Sequence, residues 1–330
     1  MPLTKLTFRP GINKETTSYS NEGGWFDSDK VRFRAGFPEK IGGWLKRTRQ
    51  AFLGSGRALH NWITLDNSRL IGLGTHLKYY VLEGGTFFDI TPIRSSVTGE
   101  ATFAATNGSS TITVTDSGHG AVLGDFVTFS SVSSLGGVIT AAVLNQEYQI
   151  TAVPSTSTYT IEARSGGTPI SSITTTTGLN PTPVTANGSD NGNGGGSTVA
   201  KYQLNIGLDV AVPGTGWNAG EWSRGTWGSS ADTAVSISNL RIWTHDNFGE
   251  DLLINVRDGQ ICYWDFSAGV TNRAVLLSTL ANANSTPTIA KQVLVSDIDR
   301  HVIAFGCDPA NDVGTQDPLL IRFADQGSLK

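Results

Sequence analysis

The stretch Ala58-Leu-His-Asn-Trp-Ile-Thr-Leu-Asp-Asn-Ser-Arg-Leu-Ile-Gly-Leu-Gly-Thr-His-Leu-Lys-Tyr-Tyr-Val-Leu-Glu-Gly-Gly-Thr-Phe-Phe-Asp-Ile90 decides the fold class. It writes short strands at 58–64, 69–73, 77–82 and 86–90. The breaks between them are Asp66-Asn67-Ser68, Gly74-Thr75 and Glu83-Gly84-Gly85, where small and Asx residues accept turn geometry. Four antiparallel strands in a row make one propeller blade, and one blade cannot bury both of its faces. More blades are therefore expected downstream.

They follow after an interruption. Strand patterns at Leu240–His245, Asp251–Val256, Gln260–Asp265 and Arg273–Ser278 form a second meander. Its Trp243-Thr-His-Asp-Asn matches Trp62-Ile-Thr-Leu-Asp-Asn of the first with one residue of slip. A third runs through Gln292–Ser296, His301–Cys307 and Leu319–Ala324, one strand short of a blade. The interval from Asp246 to Asp297 is close to the ~40–50-residue period of propeller repeats. Rings need at least about four blades, so closure is expected from the N-terminal strands, from neighbouring chains or from a longer chain.

Between the meanders the composition changes. From Val97 to about Val199 charge thins out and Thr, Ser and Gly dominate. Strands are expected at Thr102–Thr106, Ser110–Asp116, Asp125–Ser130, Glu147–Val153 and Thr158–Ala163, the first two joined by the hairpin signal Asn107-Gly108. Period-two patterning over five strands implies a small sandwich or barrel. Ser171–Ser197 buries too little apolar surface to order itself and is expected to be a flexible exit linker. The organisation is thus a basic N-terminal segment (1–57), a first blade (58–96), an inserted β domain with its linker (97–199) and further blades (200–330, the last incomplete). The fold class is all-β: propeller-type four-stranded blades, partial or shared between segments, with an inserted small β-sandwich or barrel.

Composition agrees. In 330 residues there are 39 Gly and one Met, and no stretch patterned as an amphipathic helix. Cys262 and Cys307 are two cysteines in strand-like settings, which is no disulfide framework and fits buried thiols acting as small apolar residues. The N-terminus lacks an apolar leader segment and no apolar run is long enough to span a bilayer, so a soluble protein made in a reducing compartment is expected. The net charge of −4 is unevenly spread: residues 1–60 hold 11 Lys/Arg against 5 Asp/Glu, and the rest 13 against 23.

In the basic segment, strands are expected at Lys30–Arg34 and Ile41–Arg47. Val31 and Phe33 alternate with Lys30, Arg32 and Arg34, so one face is apolar and the other cationic. With Lys46, Arg47 and Arg49 these are the candidate residues for facing DNA or an acidic neighbouring subunit. A solvated edge strand explains the same residues, and is favoured because no aromatic side chain interleaves on the basic face to stack bases. Trp217, Trp222 and Trp227 stand in the Gly-rich frame 214–228. Tryptophans are costly to leave in water, so they pack either on their own sheet or in a subunit interface.

Taken together, Arg9-Pro-Gly-Ile, Glu22-Gly-Gly-Trp-Phe-Asp, Asp29-Lys-Val-Arg-Phe-Arg-Ala-Gly-Phe-Pro-Glu-Lys-Ile-Gly-Gly-Trp44, the Gly/Trp loop and His245-Asp-Asn-Phe-Gly-Glu-Asp-Leu-Leu-Ile-Asn255 resemble virion structural proteins of tailed bacteriophages. The nearest class is the tail tube or nozzle protein of short-tailed phages, over most of residues 1–95 and 200–330. The insertion resembles domains that decorate such proteins. The resemblance implies a propeller-containing subunit, assembled as a homohexameric ring that extends portal and adaptor into a tube for DNA ejection. Its partners would be copies of itself, the adaptor, fibres or distal tail proteins, and double-stranded DNA passing without sequence-specific binding. Its place would be the virion tail, after synthesis in the host cytoplasm. Family members commonly run past the position of Lys330.

Catalytic patterns are weak by comparison. His245-Asp246, with Asn247, Glu250 and Asp251 nearby, fits neither an EF-hand loop nor a zinc site, and is read as the turn between two blade strands. With no Gly-x-Ser-x-Gly, P-loop or Cys/His set, neither an enzyme nor a cofactor or metal is expected. Two alternatives remain: an adhesin or carbohydrate-binding tail module that uses the insertion, and a glycosidase with paired carboxylates drawn from distant blades.

Overall fold

In the computed structural model the described residues are 9–15, 17–43, 45–48, 50–165, 182–210, 240–283 and 285–329. They belong to two compact units, residues 1–47 and 48–330.

The first unit carries one hairpin. Val31–Arg34 pairs antiparallel with Phe37–Lys40, Phe33 opposite Pro38. The second strand therefore precedes the expected Ile41–Arg47, whose described residues form no strand. The reason lies in Ala35 and Gly36, with φ of 50° and 82°. Two positive φ values close a tight hairpin whose twist matches its strands. Ala-Gly is a weaker signal for that turn than Asn-Gly, and Pro38 argues against a strand unless it lies at an edge, as here.

The second unit holds the blades. Gly56–Ile63, Arg69–Thr75, Tyr79–Glu83 and Thr86–Asp89 are hydrogen-bonded in chain order, as the opening stretch predicts. The second blade is Trp243–Phe248, Asp251–Val256, Ile261–Trp264 and Val275–Leu276, again in chain order. The third sheet has three described strands, Gln292–Val295, Val302–Phe305 and Ile321–Phe323. These sheets are antiparallel throughout.

Two expectations about the second blade are corrected. Its first strand runs to Phe248, so His245, Asp246 and Asn247 lie within the strand, and Phe248 pairs with Asp251 across Gly249-Glu250. Polar residues are accommodated there because their side chains bond to neighbouring sheets. The two Trp-to-Asn segments are consequently not equivalent, since Asp66 and Asn67 sit in a turn and Asp246 and Asn247 in a strand.

Blade faces pack on blade faces. Trp62, Leu70, Tyr79, Val81 and Ile90 of the first meet Trp243, Leu252, Ile254, Cys262 and Trp264 of the second. Leu253, Ile261 and Leu277, from the second blade's other face, meet Val293, Val295, Val302, Ala304 and Cys307. The indole of Trp243 reaches over Gly74, where a Cβ would lie 2.5 Å from the ring, and donates to the Thr75 carbonyl at 2.6 Å. Both cysteines are buried free thiols, and burial pushes Cys262 up to about 12.

The insertion is a sandwich of two four-stranded antiparallel sheets. One has the order Glu147–Gln149, Phe126–Ser130, Val199–Gln203, Ile93–Thr98, and the other Ala152–Ser155, Thr158–Glu162, Thr111–Thr115, Thr102–Ala105. The expected strand 147–153 breaks at Ile150-Thr151 to serve both sheets, a corner common in sandwiches. Chain entry and exit are the paired strands 93–98 and 199–203, neither of which the sequence pattern marks. Phe103, Ile112, Val114, Phe129, Tyr148, Tyr159, Ile161 and Tyr202 fill the core.

Part of the expected flexible linker is built into this sandwich. Buried Asp190 accepts the backbone N–H groups of Gly137, Val138, Ile139 and Asn187 at 2.8–3.2 Å. Gly194, with φ of 86°, passes so close to Phe103 that a Cβ would meet its ring at 2.5 Å. The Gly-rich composition here serves close backbone approach as well as turns. Residues 171–181 of that linker lie outside the described residues. No helix among the described residues is long and apolar enough to cross a membrane.

Candidate functional site

Lys30, Arg32, Arg34, Lys46 and Arg47 are all exposed in the first unit, and Arg32 and Arg34 alternate with half-buried Val31 and Phe33 as predicted. The cationic face is partly neutralised, since Arg32 Nε lies 3.1 Å from its cross-strand partner Glu39, and Lys30 lies 3.7 Å from Asp29. Arg49, Trp217, Trp222 and Trp227 lie outside the described residues.

The ionisable groups that the fold brings together are elsewhere, at the joints of the second unit. At the first joint, His60 of the first blade and His245 of the second have ring centroids 4.8 Å apart. His60 Nε2 is 2.5 Å from Asn247 Oδ1, and the Tyr79 hydroxyl shares a 2.9 Å hydrogen bond with His245 Nδ1. Burial, followed by the neighbouring His60, lowers the His245 pKa to about 4, so the ring is neutral near pH 7. Asp246 turns the other way, accepting the Val295 N–H at 2.8 Å and so tying the second blade to the third sheet. Glu250 accepts the Leu65 N–H at 2.7 Å while its carbonyl accepts Trp62 Nε1–H at 3.2 Å. The His-Asp-Asn run is therefore a clasp between sheets.

The second joint is an ion-pair network no local motif announces. Buried Lys78 lies 2.6 Å from Asp89 and 2.5 Å from Glu147, and its ammonium stands 4.3 Å from the Phe126 ring centre. Arg273 reaches the same two carboxylates at 3.1 and 3.0 Å. Gln203 donates to Glu147, and Thr91 Oγ1 donates to Asp89 at 2.6 Å. Burial would raise the Asp89 pKa, but Lys78 and Arg273 outweigh it and hold the carboxyl below its usual range. Lys78 and Asp89 come from the first blade, Arg273 from the second, and Glu147 and Gln203 from the sandwich. Two cations on two carboxylates thus lock three bodies together.

Among the described residues no group of three or more His, Cys, Asp or Glu is arranged to hold a metal ion. A cleft of about 790 Å³ is lined by Leu123, Ile206, Leu208, Leu240, Arg241 and Ile289 among others. Burial lowers the Arg241 pKa to about 10, and its guanidinium donates to the Asn205 carbonyl at 2.7 Å. Apolar walls with a few fixed polar groups suit binding.

No family model and no curated protein matches the chain. Among solved structures it is similar to the phage phi92 endosialidase at 11% identity and a TM-score of 0.22, over 75% of this chain and 33% of that one. The chain thus spans about a third of the length of that structure.

Proposed function

We propose that this chain is a structural subunit of a bacteriophage tail, a tube or nozzle component that acts by geometry and surface charge. The reading rests on one conjunction: the residue pattern of 9–44 and 245–255, similar to short-tailed phage tail proteins, occurs in a chain whose described sheets include a row of blades. In the proposed ring, a hexamer by the family likeness, copies join one another and the adaptor, fibres or distal tail proteins.

A DNA conduit has to avoid gripping phosphates, because each cation contact releases counterions and adds affinity that stalls movement. The excess of 23 Asp/Glu over 13 Lys/Arg beyond residue 60 suits a wall of low adhesion. Lys30, Arg34, Lys46 and Arg47 then face the preceding ring or the DNA, and Trp217, Trp222 and Trp227 contribute to subunit contacts. Particle symmetry in electron micrographs tests the ring. Duplex DNA titrated at low salt should bind weakly and without sequence preference; tight, sequence-selective binding would refute the conduit.

A second reading, an adhesin-like tail module, draws on the sandwich. It has its own core and is clamped to the blades through Glu147, as a rigidly presented recognition domain would be. Saturable binding of the whole chain on a glycan array, abolished by substitutions on the sandwich surface, would favour it. Polysaccharide cleavage lost on mutating paired carboxylates would favour a glycosidase instead.

A further inference from the structure

Among the described residues Lys78 is the only buried lysine, its side chain 3% exposed. The groups around it do more than neutralise its charge: they bring an amine, a carboxyl carbon and a base together. Lys78 Nζ lies 2.6 Å from Asp89 Oδ2 and 2.5 Å from Glu147 Oε1. The two oxygens of Asp89 have different surroundings. Oδ2 meets the ammonium, whereas Oδ1 accepts three donors: the Thr91 N–H at 3.0 Å, the Thr91 hydroxyl at 2.6 Å and Arg273 Nη1 at 3.1 Å. Glu147 is held by its other oxygen, Oε2, which accepts from Arg273 Nη2 at 3.0 Å and from Gln203, so Oε1 is left to Lys78. The Phe126 ring closes one side of the site, 4.3 Å from Nζ.

These are the parts that amide formation requires. A lysine becomes a nucleophile when a base within hydrogen-bond reach takes its proton, and Glu147 Oε1 stands at that distance. The attacked carboxyl needs donors on the oxygen that gathers charge, and Asp89 Oδ1 has three. Holding amine and carboxyl in contact removes the entropic cost that makes their condensation slow between free molecules. Burial acts in the same direction, because an ion pair taken out of water is costly to keep and condensation consumes both of its charges. Asp89 is the better acceptor of the two carboxyls, since one of the three donors on its Oδ1 is a fixed backbone N–H, while Glu147 has the longer side chain to carry a proton.

We infer that Lys78 and Asp89 condense with each other, with no further reactant, into an isopeptide bond. The ammonium passes one proton to Glu147, the freed Nζ lone pair attacks Asp89 Cγ, and the developing charge falls on Oδ1. As the N–C bond forms and the Cγ–Oδ2 bond breaks, Oδ2 takes the proton from Glu147 and a second one from Nζ and leaves as water. One proton of the ammonium stays on the amide and two go with the water, the opposite charges cancel, and nothing is oxidised or reduced. Glu147 ends as a carboxylate paired with Arg273. The bond ties the open end of the hairpin Tyr79–Glu83 and Thr86–Asp89, beside the seam with the sandwich. The ion pairs described above are the state before condensation, and the lasting state of any chain that lacks Glu147. The inference stands on this network and does not depend on the tail reading.

The test is the mass of the whole purified chain, measured under denaturing conditions after incubation to constant mass. The parent is expected to be one water lighter than its sequence. Trypsin cuts after a free lysine but not after an acylated one, so it should release a single looped peptide 70–94, one water light, in place of 70–78 and 79–94. Lys78→Arg keeps the charge without the nucleophile, and Glu147→Gln keeps both reacting groups without the base; each should have the full mass of its sequence. A parent of full mass that yields free 70–78 would overturn the inference. So would a water loss located in another peptide, a branched product joining Lys78 to peptide 95–164 through Glu147, or a Glu147→Gln chain as light as the parent. If either variant fails to fold, the parent's mass and its tryptic peptides decide the matter.

Discussion

His245 shows how a residue that invites a catalytic reading becomes structural once its surroundings are known. Its ring stands against Tyr79 and His60, and the fold holds its pKa at about 4 against an ordinary 6.5. Between those values the unfolded chain takes up a proton that the folded one refuses, so stability is greatest above pH 6.5 and falls on acidification toward pH 4. The full loss from this ring is about 3 kcal/mol, at 1.36 kcal/mol per pKa unit. Urea denaturation at pH 7 and pH 4.5 should show that loss in the parent and a smaller one in His245→Gln; equal losses would remove His245 as the cause. Gly74→Ala argues the same joint from the backbone side. A methyl group 2.5 Å from the Trp243 ring forces the indole away from its bond to Thr75, and overpacking of this kind costs about 1–3 kcal/mol. An unchanged denaturation midpoint would contradict it.

Among the elements, those made by local chemistry were legible and those made by distant partners were not. The four strands of the opening stretch and the Asn107-Gly108 hairpin follow from alternation and turn residues, and their observed bounds differ from the expected ones by only a few residues. The paired strands 93–98 and 199–203 escaped because their partners lie a whole domain apart in sequence. The hairpin 31–40 was misplaced because Ala35 occupies a turn position that ordinarily selects Asn or Gly. Residues 187–195 looked like linker because a composition rule cannot distinguish a glycine that must be free from one that must fit over Phe103. The clasp and the ion-pair network share that difficulty: Lys78, Asp89, Glu147 and Arg273 are ordinary residues until the fold assembles them. Lys78→Ala leaves two carboxylates with one cation in a buried setting, and such one-sided removal costs about 3–5 kcal/mol. Lys78→Met paired with Glu147→Gln should recover part of that loss in chemical denaturation; no recovery would mean that Lys78 matters mainly through its packing on Phe126.

For the whole second unit, the network makes the sandwich part of the blades' stability as well as a passenger on them. Glu147 is contributed by the insertion, yet it accepts from Lys78 of the first blade and Arg273 of the second. The chain enters and leaves the sandwich through adjacent paired strands, with Val97 opposite Ala200, so a short turn can close the gap when the domain is removed. A decoration joined only by such a neck would be removable at little cost. Here removal exposes Lys78, strips it of one carboxylate, and leaves Arg273 with Asp89 and the Thr91 carbonyl. Replacing residues 98–199 by an Asn-Gly turn should therefore lower the stability of the remaining blades measurably, by an amount on the order of the 3–5 kcal/mol attached to breaking buried pairs and reduced by whatever water reaches Lys78. Adding Arg273→Met to the excised chain should restore part of it, because Asp89 and Lys78 then balance as a single pair. An excised chain with the parent's denaturation midpoint would show that the two carboxylates and two cations do not couple sandwich to blades.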